Sequence, residues 1–265
     1  MLDQLAVAPA RVGLIIPSSN RLTEPHMHHY APAGVQVHVT RLRMTGPHHV
    51  GLDQLMPRIV ESTGALADAR CDVIVFHCTA SSMESGLDGE RSVLEAMGDV
   101  ANGAHVLTTA TATRAALEAL ELRRIVLVSP YVAGTHAHEI EFLVEAGLDV
   151  VGDRCLGLGG GDDYIQVTPA EWLSVAREAM LPSAQGMFLS CTNIRVPEII
   201  RPLEAALGVP VVTSNQAVLW YALRACGLDD DVPELGHLLQ LDRLSPARRG
   251  ATIDARSGGQ TAGRT

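Results

Sequence analysis

Two cysteines stand in matching settings. Cys78 and Cys191 each follow a short apolar run, and each precedes a threonine and a small or polar residue, in Phe76-His-Cys78-Thr-Ala-Ser-Ser82 and Leu189-Ser-Cys191-Thr-Asn193. A thiol at a strand-to-helix turn receives backbone N–H groups and the positive end of a helix dipole, which lower its pKa and favour thiolate. Two such thiols facing one cleft could divide the chemistry at a carbon beside a carboxylate, one sulfur adding or removing a group while the other handles a proton. The substrate carboxylates then need donors. Asn20, closing Pro17-Ser-Ser-Asn20, and Tyr131, in Pro130-Tyr131, occupy equivalent turns and offer them, with Thr79, Ala80, Thr192, Asn193 and Pro17 alongside. Free cysteine is more often a small buried hydrophobe, and that reading is kept for Cys71, Cys155 and Cys226.

The elements that must position these residues are legible as alternating runs. Val12–Ile16, Val73–Phe76, Ile125–Val128, Met187–Leu189 and Val211–Val212 are too short and too apolar for helices and read as buried parallel strands. Helical spacing marks Met56–Ala69, Val93–Ala101, Thr113–Leu122, His138–Ala146, Pro169–Met180, Pro197–Leu207 and Gln216–Cys226. The alternation predicts an α/β protein with right-handed crossovers. Arg11-Val-Gly-Leu-Ile-Ile-Pro17 matches Arg124-Ile-Val-Leu-Val-Ser-Pro130 at an offset of 113, and the same offset carries Cys78-Thr79 onto Cys191-Thr192. Val106-Leu-Thr-Thr-Ala-Thr-Ala112 resembles Val211-Val-Thr-Ser-Asn-Gln-Ala217. Two similar parallel-sheet lobes are expected, 8–120 and 121–242, related by a pseudo-twofold with the site in the cleft between them. Residues 245–265, almost without bulky apolar side chains, are expected to form a flexible tail.

Composition removes much other chemistry. All 20 basic residues are arginine, so lysine Schiff bases, lysine-anchored pyridoxal phosphate and a P-loop lysine are excluded. A net charge of −10 opposes nucleic acid and anionic membrane as partners. The first ten residues match no targeting peptide, and the five scattered cysteines form no C-x-x-C pair, so reduced thiols in a cytoplasmic protein are expected. His26-x-His28 could chelate on a strand, yet no H-E-x-x-H motif accompanies it; metal is not expected. Gly159–Gly161 lacks dinucleotide-loop spacing and suggests a mobile lid. Binding without catalysis would leave the paired cysteines unexplained.

From about Arg11 to Asp230 the chain resembles the maleate cis-trans isomerase and arylmalonate decarboxylase family of the aspartate/glutamate racemase superfamily. The resemblance is carried by Pro17-Ser-Ser-Asn20, Arg41-Leu-Arg-Met44, the Cys78 segment, Val128-Ser-Pro-Tyr131 and Leu189-Ser-Cys191. It implies two Rossmann-like (flavodoxin-like) halves, no cofactor or metal, and a small carboxylate substrate between the halves. It further implies that Cys78 attacks a double bond to give a succinyl-cysteine-like adduct, that Cys191 serves as acid/base, and that Asn20 and Tyr131 hold carboxylates. The family's decarboxylases keep only the second cysteine, with glycine for the first, so having both favours an isomerase or racemase, and Pro17-Ser-Ser-Asn20, Arg41-Leu-Arg-Met44 and Pro130-Tyr131, which resemble the maleate isomerase pattern, favour isomerisation of a maleate-like dicarboxylate. Racemisation of an acidic amino acid is the alternative, because Thr79-Ala80 and Thr192-Asn193 resemble the turns of amino-acid racemases; malonate-type decarboxylation ranks below it. An assembly of identical chains is expected.

Overall fold

The computed structural model describes residues 10–44 and 50–242; His48, His49 and the tail expected at 245–265 lie outside them. The first half runs β1 (Ala10–Pro17), α1 (Thr23–Tyr30), β2 (Val35–Leu42), α2 (Leu52–Asp68), β3 (Val73–Phe76), α3 (Thr79–Met83), α4 (Gly86–Gly98), β4 (His105–Thr108) and α5 (Thr109–Ala119). The second runs β5 (Arg124–Ser129), α6 (Ala133–Glu145), β6 (Asp149–Cys155), α7 (Gly161–Tyr164), α8 (Pro169–Ala179), β7 (Gly186–Leu189), α9 (Ile200–Leu207), β8 (Val211–Thr213) and α10 (Ser214–Ala225).

Each half holds one parallel four-stranded sheet, and the two strand orders are the same: β2-β1-β3-β4 and β6-β5-β7-β8. This is the two-lobed α/β architecture that the internal repeat predicts. Every residue of β3, β7 and β8 is buried, as expected where helices cover both faces of a parallel sheet. The edge strands β2 and β6 escape the sequence reading. They are mostly half-exposed, and alternation or scattered polar residues replace the apolar run. Helices α5 and α6 begin four and five residues before the apolar spacing does, because their first turns are built from small or polar residues.

Register sets the site. In the first sheet Ile15 pairs with Phe76, and in the second Val128 pairs with Leu189. The residue before each cysteine continues that ladder: His77 N donates to Ile15 O at 2.8 Å and Ser190 N to Val128 O at 2.8 Å. Both cysteines therefore stand just past the carboxyl end of a central strand, where open parallel sheets bind ligands. Equivalent capping boxes close the next strand of each sheet. Thr108 caps α5 with Thr111, and Thr213 caps α10 with Gln216. Helices α5 and α10 then pack against each other across the lobes, and one buried cluster joins Leu107 and Ala116 to Val218, Trp220 and Leu223. No helix among the described residues is long and apolar enough to cross a membrane.

Candidate active site

Between the lobes lies a cavity of about 140 Å³, and all nine residues singled out in the sequence line it: Pro17, Asn20, Cys78, Thr79, Ala80, Tyr131, Cys191, Thr192 and Asn193. Ser19, Met44, Ser81, Thr135, Gly160, Gly161 and Tyr164 complete the wall. No Asp, Glu, Arg or His contributes to it among the described residues, so polarity comes from hydroxyls, amides and thiols.

Cys78 is the N-cap residue of α3. Its Sγ donates to Ser81 Oγ at 3.4 Å, and the Ser81 backbone N–H on the same turn acts to lower its pKa. The hydroxyl that accepts from a thiol can rotate and donate to a thiolate. Cys191 has a positive φ of 109°, costing on the order of 1–3 kcal/mol for a residue with a Cβ. Two hydrogen bonds hold it there. Its N–H donates to Ser214 Oγ at 3.3 Å and its Sγ accepts from Asn193 N at 3.3 Å, while the nearby Tyr131 hydroxyl acts to lower the pKa of the same sulfur.

The expectation that the turns lower both thiol pKa values is corrected. Burial raises Cys78 above its ordinary value and pushes Cys191 up to about 12, outweighing the hydrogen bonds from Ser81, Tyr131 and Asn193. Helix α3 is too short to offset this with a dipole, having only five residues. The two sulfurs are close enough that Cys78 itself raises Cys191.

Ser214, missed in the sequence, joins the two cysteine turns. Its Oγ accepts from Thr79 Oγ1 at 2.8 Å as well as from Cys191 N. The recurrence of Thr108-Thr109 and Thr213-Ser214 at the two strand ends was the available signal. Asn20 reaches the cavity, but its amide hydrogens go to Thr23 Oγ1 at 3.0 Å and Thr192 Oγ1 at 2.9 Å. Its Oδ1 accepts from the N–H groups of Leu22 and Thr23 at the start of α1. Asn20 thus holds Thr192, whose own O–H is left to donate. Arg41 fixes the same turn from outside, donating to Asn20 O at 2.7 Å and pairing with Glu24.

Behind the cysteines a neutral polar network ties the lobes. His77 Nε2 donates to Asn215 Oδ1 at 2.9 Å, and Asn215 Nδ2 reaches Thr192 O at 3.1 Å and His26 Nδ1 at 3.0 Å. Burial pulls both histidines down to about 4. His26 is thereby accounted for as a network member. The Gly159–Tyr164 segment closes over the cavity, with Asn193 Nδ2 donating to Gly161 O at 3.2 Å, Arg21 paired to Asp162, and Tyr164 edge-on to Tyr131.

Two sheets of the same strand order meeting at paired cysteine turns define a cysteine enzyme of two α/β lobes. The arylmalonate decarboxylase family model matches residues 12–239, and the chain belongs to that family. It is 26% identical over 242 residues to a maleate isomerase of Nocardia farcinica, covering 88% of this chain and 96% of that one. It is 30% identical over 179 residues to an arylmalonate decarboxylase of Bordetella bronchiseptica, covering 67% and 74%. Among solved structures, a cysteine-to-serine mutant of the Nocardia farcinica maleate cis-trans isomerase with a covalently bound succinylcysteine intermediate superposes with a TM-score of 0.80 at 25% identity, over 88% of this chain and 99% of that one. With these relatives the chain is an isomerase-type enzyme.

Proposed function

We propose that the chain catalyses cofactor-independent cis-trans isomerisation of a maleate-like small dicarboxylate. The observation that carries the reading is two cysteine sulfurs facing one cavity of about 140 Å³. That is below the range of about 300–1,000 Å³ typical of sites for drug-sized ligands, and suits a substrate of a few carbons.

In this reading Cys78 is the nucleophile. Its thiolate adds to one alkene carbon while Cys191, a thiol at ordinary pH because burial pushes it up to about 12, gives its proton to the other. The product is a saturated S-succinyl adduct whose central bond rotates. The Cys191 thiolate then takes the proton back, and the electron pair expels Cys78 as thiolate. No electrons or atoms are gained or lost over the cycle. Thr192, Ser81 and Thr135 hydroxyls and the Ala80 backbone are the donors for the carboxylates, and Tyr131 steadies the second sulfur. The succinylcysteine in the Nocardia farcinica relative supports the same adduct here.

Racemisation needs the same two thiols, but a substrate ammonium would meet no carboxylate on the cavity wall among the described residues. Decarboxylation is supported by the family and by the Bordetella bronchiseptica relative. Proton NMR of small dicarboxylates and amino acids in deuterium oxide separates all three. Maleate should convert to its trans isomer, Cys78→Ala should lose nearly all turnover, and Cys191→Ser should accumulate an adduct one substrate mass heavier. Inert maleate beside α-hydrogen exchange of an amino acid, or loss of carbon dioxide from a malonate, replaces this reading.

A further inference from the structure

One ionisable group beside the cavity has no part in the chemistry above. Glu139, on α6, is fully buried. Its Oε1 accepts from the Ser190 hydroxyl at 2.6 Å, and its Oε2 has no partner among the described residues. Ser190 is the residue immediately before Cys191. Glu139 is close enough to act on both cysteines, Tyr131 and Tyr164.

The groups that face it are themselves anionic or neutral. The turn before α3 brings Cys78, on which Glu84 at that helix's end also acts; the turns after β5 and β7 bring Tyr131 and Cys191; and the segment over the cavity brings Tyr164. On neighbouring elements, Arg114 of α5 lies over Phe142 and is paired with Glu90 of α4, while Asp153 of β6 is bonded to His136 one turn away on α6. Glu145, at the end of α6, reaches out to Leu87 N. What acts on the Glu139 carboxyl is burial, opposed only by the Ser190 hydroxyl. A carboxylate without a cation in such a place costs far more than a neutral acid. Burial accordingly raises the group to about 8.

We propose that Glu139 is a positioning residue that must keep its proton: as a neutral acid it anchors Ser190 ahead of Cys191 and adds no charge to the buried surroundings of the two thiols. Once ionised it places a negative charge beside a thiolate and a dianionic substrate, so each thiolate becomes harder to form. The inference rests on the two-cysteine reading of the site. Its consequence is an alkaline decline in activity that belongs to Glu139 rather than to a cysteine.

The test compares wild type with Glu139→Gln, which keeps an acceptor for Ser190 and cannot ionise. Iodoacetamide labelling of Cys78, followed by peptide mass spectrometry between pH 7 and 10, should be faster in the variant above pH 8. A drop of one pH unit in the thiol pKa gives about a tenfold rise in thiolate while the thiol is mostly protonated. The alkaline decline of turnover should move upward or vanish. Equal or slower labelling in the variant overturns the proposal, as does an unmoved pH profile. Infrared spectroscopy of wild type alone provides a second measurement if the variant fails to fold: a protonated-carboxyl band should persist at pH 7 and fade as pH passes about 8, and its absence at pH 7 overturns the proposal. Labelling and infrared need no substrate, so they decide Glu139 even where maleate is not turned over.

Discussion

His77 makes the strongest demand on pH. The ring is wholly buried, donates from Nε2 to Asn215 and accepts from Thr109 at Nδ1, with no carboxylate beside it. Burial holds its pKa near 4 in the folded chain, against 6.5 for an exposed histidine. Above pH 6.5 the ring is neutral in both folded and unfolded chains and pH has no leverage. As pH falls below 6.5 the unfolded chain takes up a proton that the folded chain refuses, so stability is lost down to about pH 4 and then levels off. At about 1.4 kcal/mol per pH unit, the gap between 6.5 and about 4 corresponds to about 3 kcal/mol. His26, lowered to a similar value, adds a loss in the same window, while Glu139, raised to about 8, works in the opposite direction between pH 4.5 and 8. His77→Gln isolates the single contribution, because glutamine can still donate to Asn215 but does not titrate. Urea denaturation at a series of pH values should show the variant losing about 3 kcal/mol less than wild type between pH 6.5 and 4, whatever its stability at pH 7. Parallel curves for the two proteins would refute the assignment of a neutral, cation-free His77.

Two further substitutions probe the frame. Ser214→Ala removes the acceptor shared by Thr79 Oγ1 and Cys191 N, leaving two buried donors unpartnered at about 1–3 kcal/mol each. Chemical denaturation should show that loss and kinetics a fall in kcat larger than any rise in KM; wild-type behaviour in both would show that Ser214 does not tie the cysteine turns together. Gly186→Ala would put a Cβ 2.6 Å from Leu122 Cδ1 and 3.0 Å from the Pro210 carbonyl at the start of β7, so a loss of about 1–3 kcal/mol is expected in thermal unfolding. An unchanged melting temperature would mean that β7 has more room than the packing allows.

Much of this molecule is written locally. Short β-rich apolar runs followed by small or polar residues specify buried parallel strands, and a repeat of 113 residues specifies that the fold is made twice. Because open parallel sheets bind at the carboxyl ends of their strands, the same repeat was enough to bring Cys78, Cys191, Asn20 and Tyr131 to one cavity. The edge strands β2 and β6 were not legible, since an edge that stays half-exposed needs no apolar signature. Ionisation was not legible either. Sequence spacing points to turn amides that favour a thiolate, but the net pKa depends on how much solvent the tertiary packing removes, and here burial outweighs the hydrogen bonds at both sulfurs. Nor could spacing show that Asn20 gives both amide hydrogens to protein hydroxyls, that Ser214 spans the two lobes, or that an acid on α6 has no counter-charge. Those are properties of which side chains meet in space, some of them, like Asn20 with Thr192 and Thr79 with Ser214, across more than a hundred residues of chain, and only the folded arrangement of the two lobes decides them.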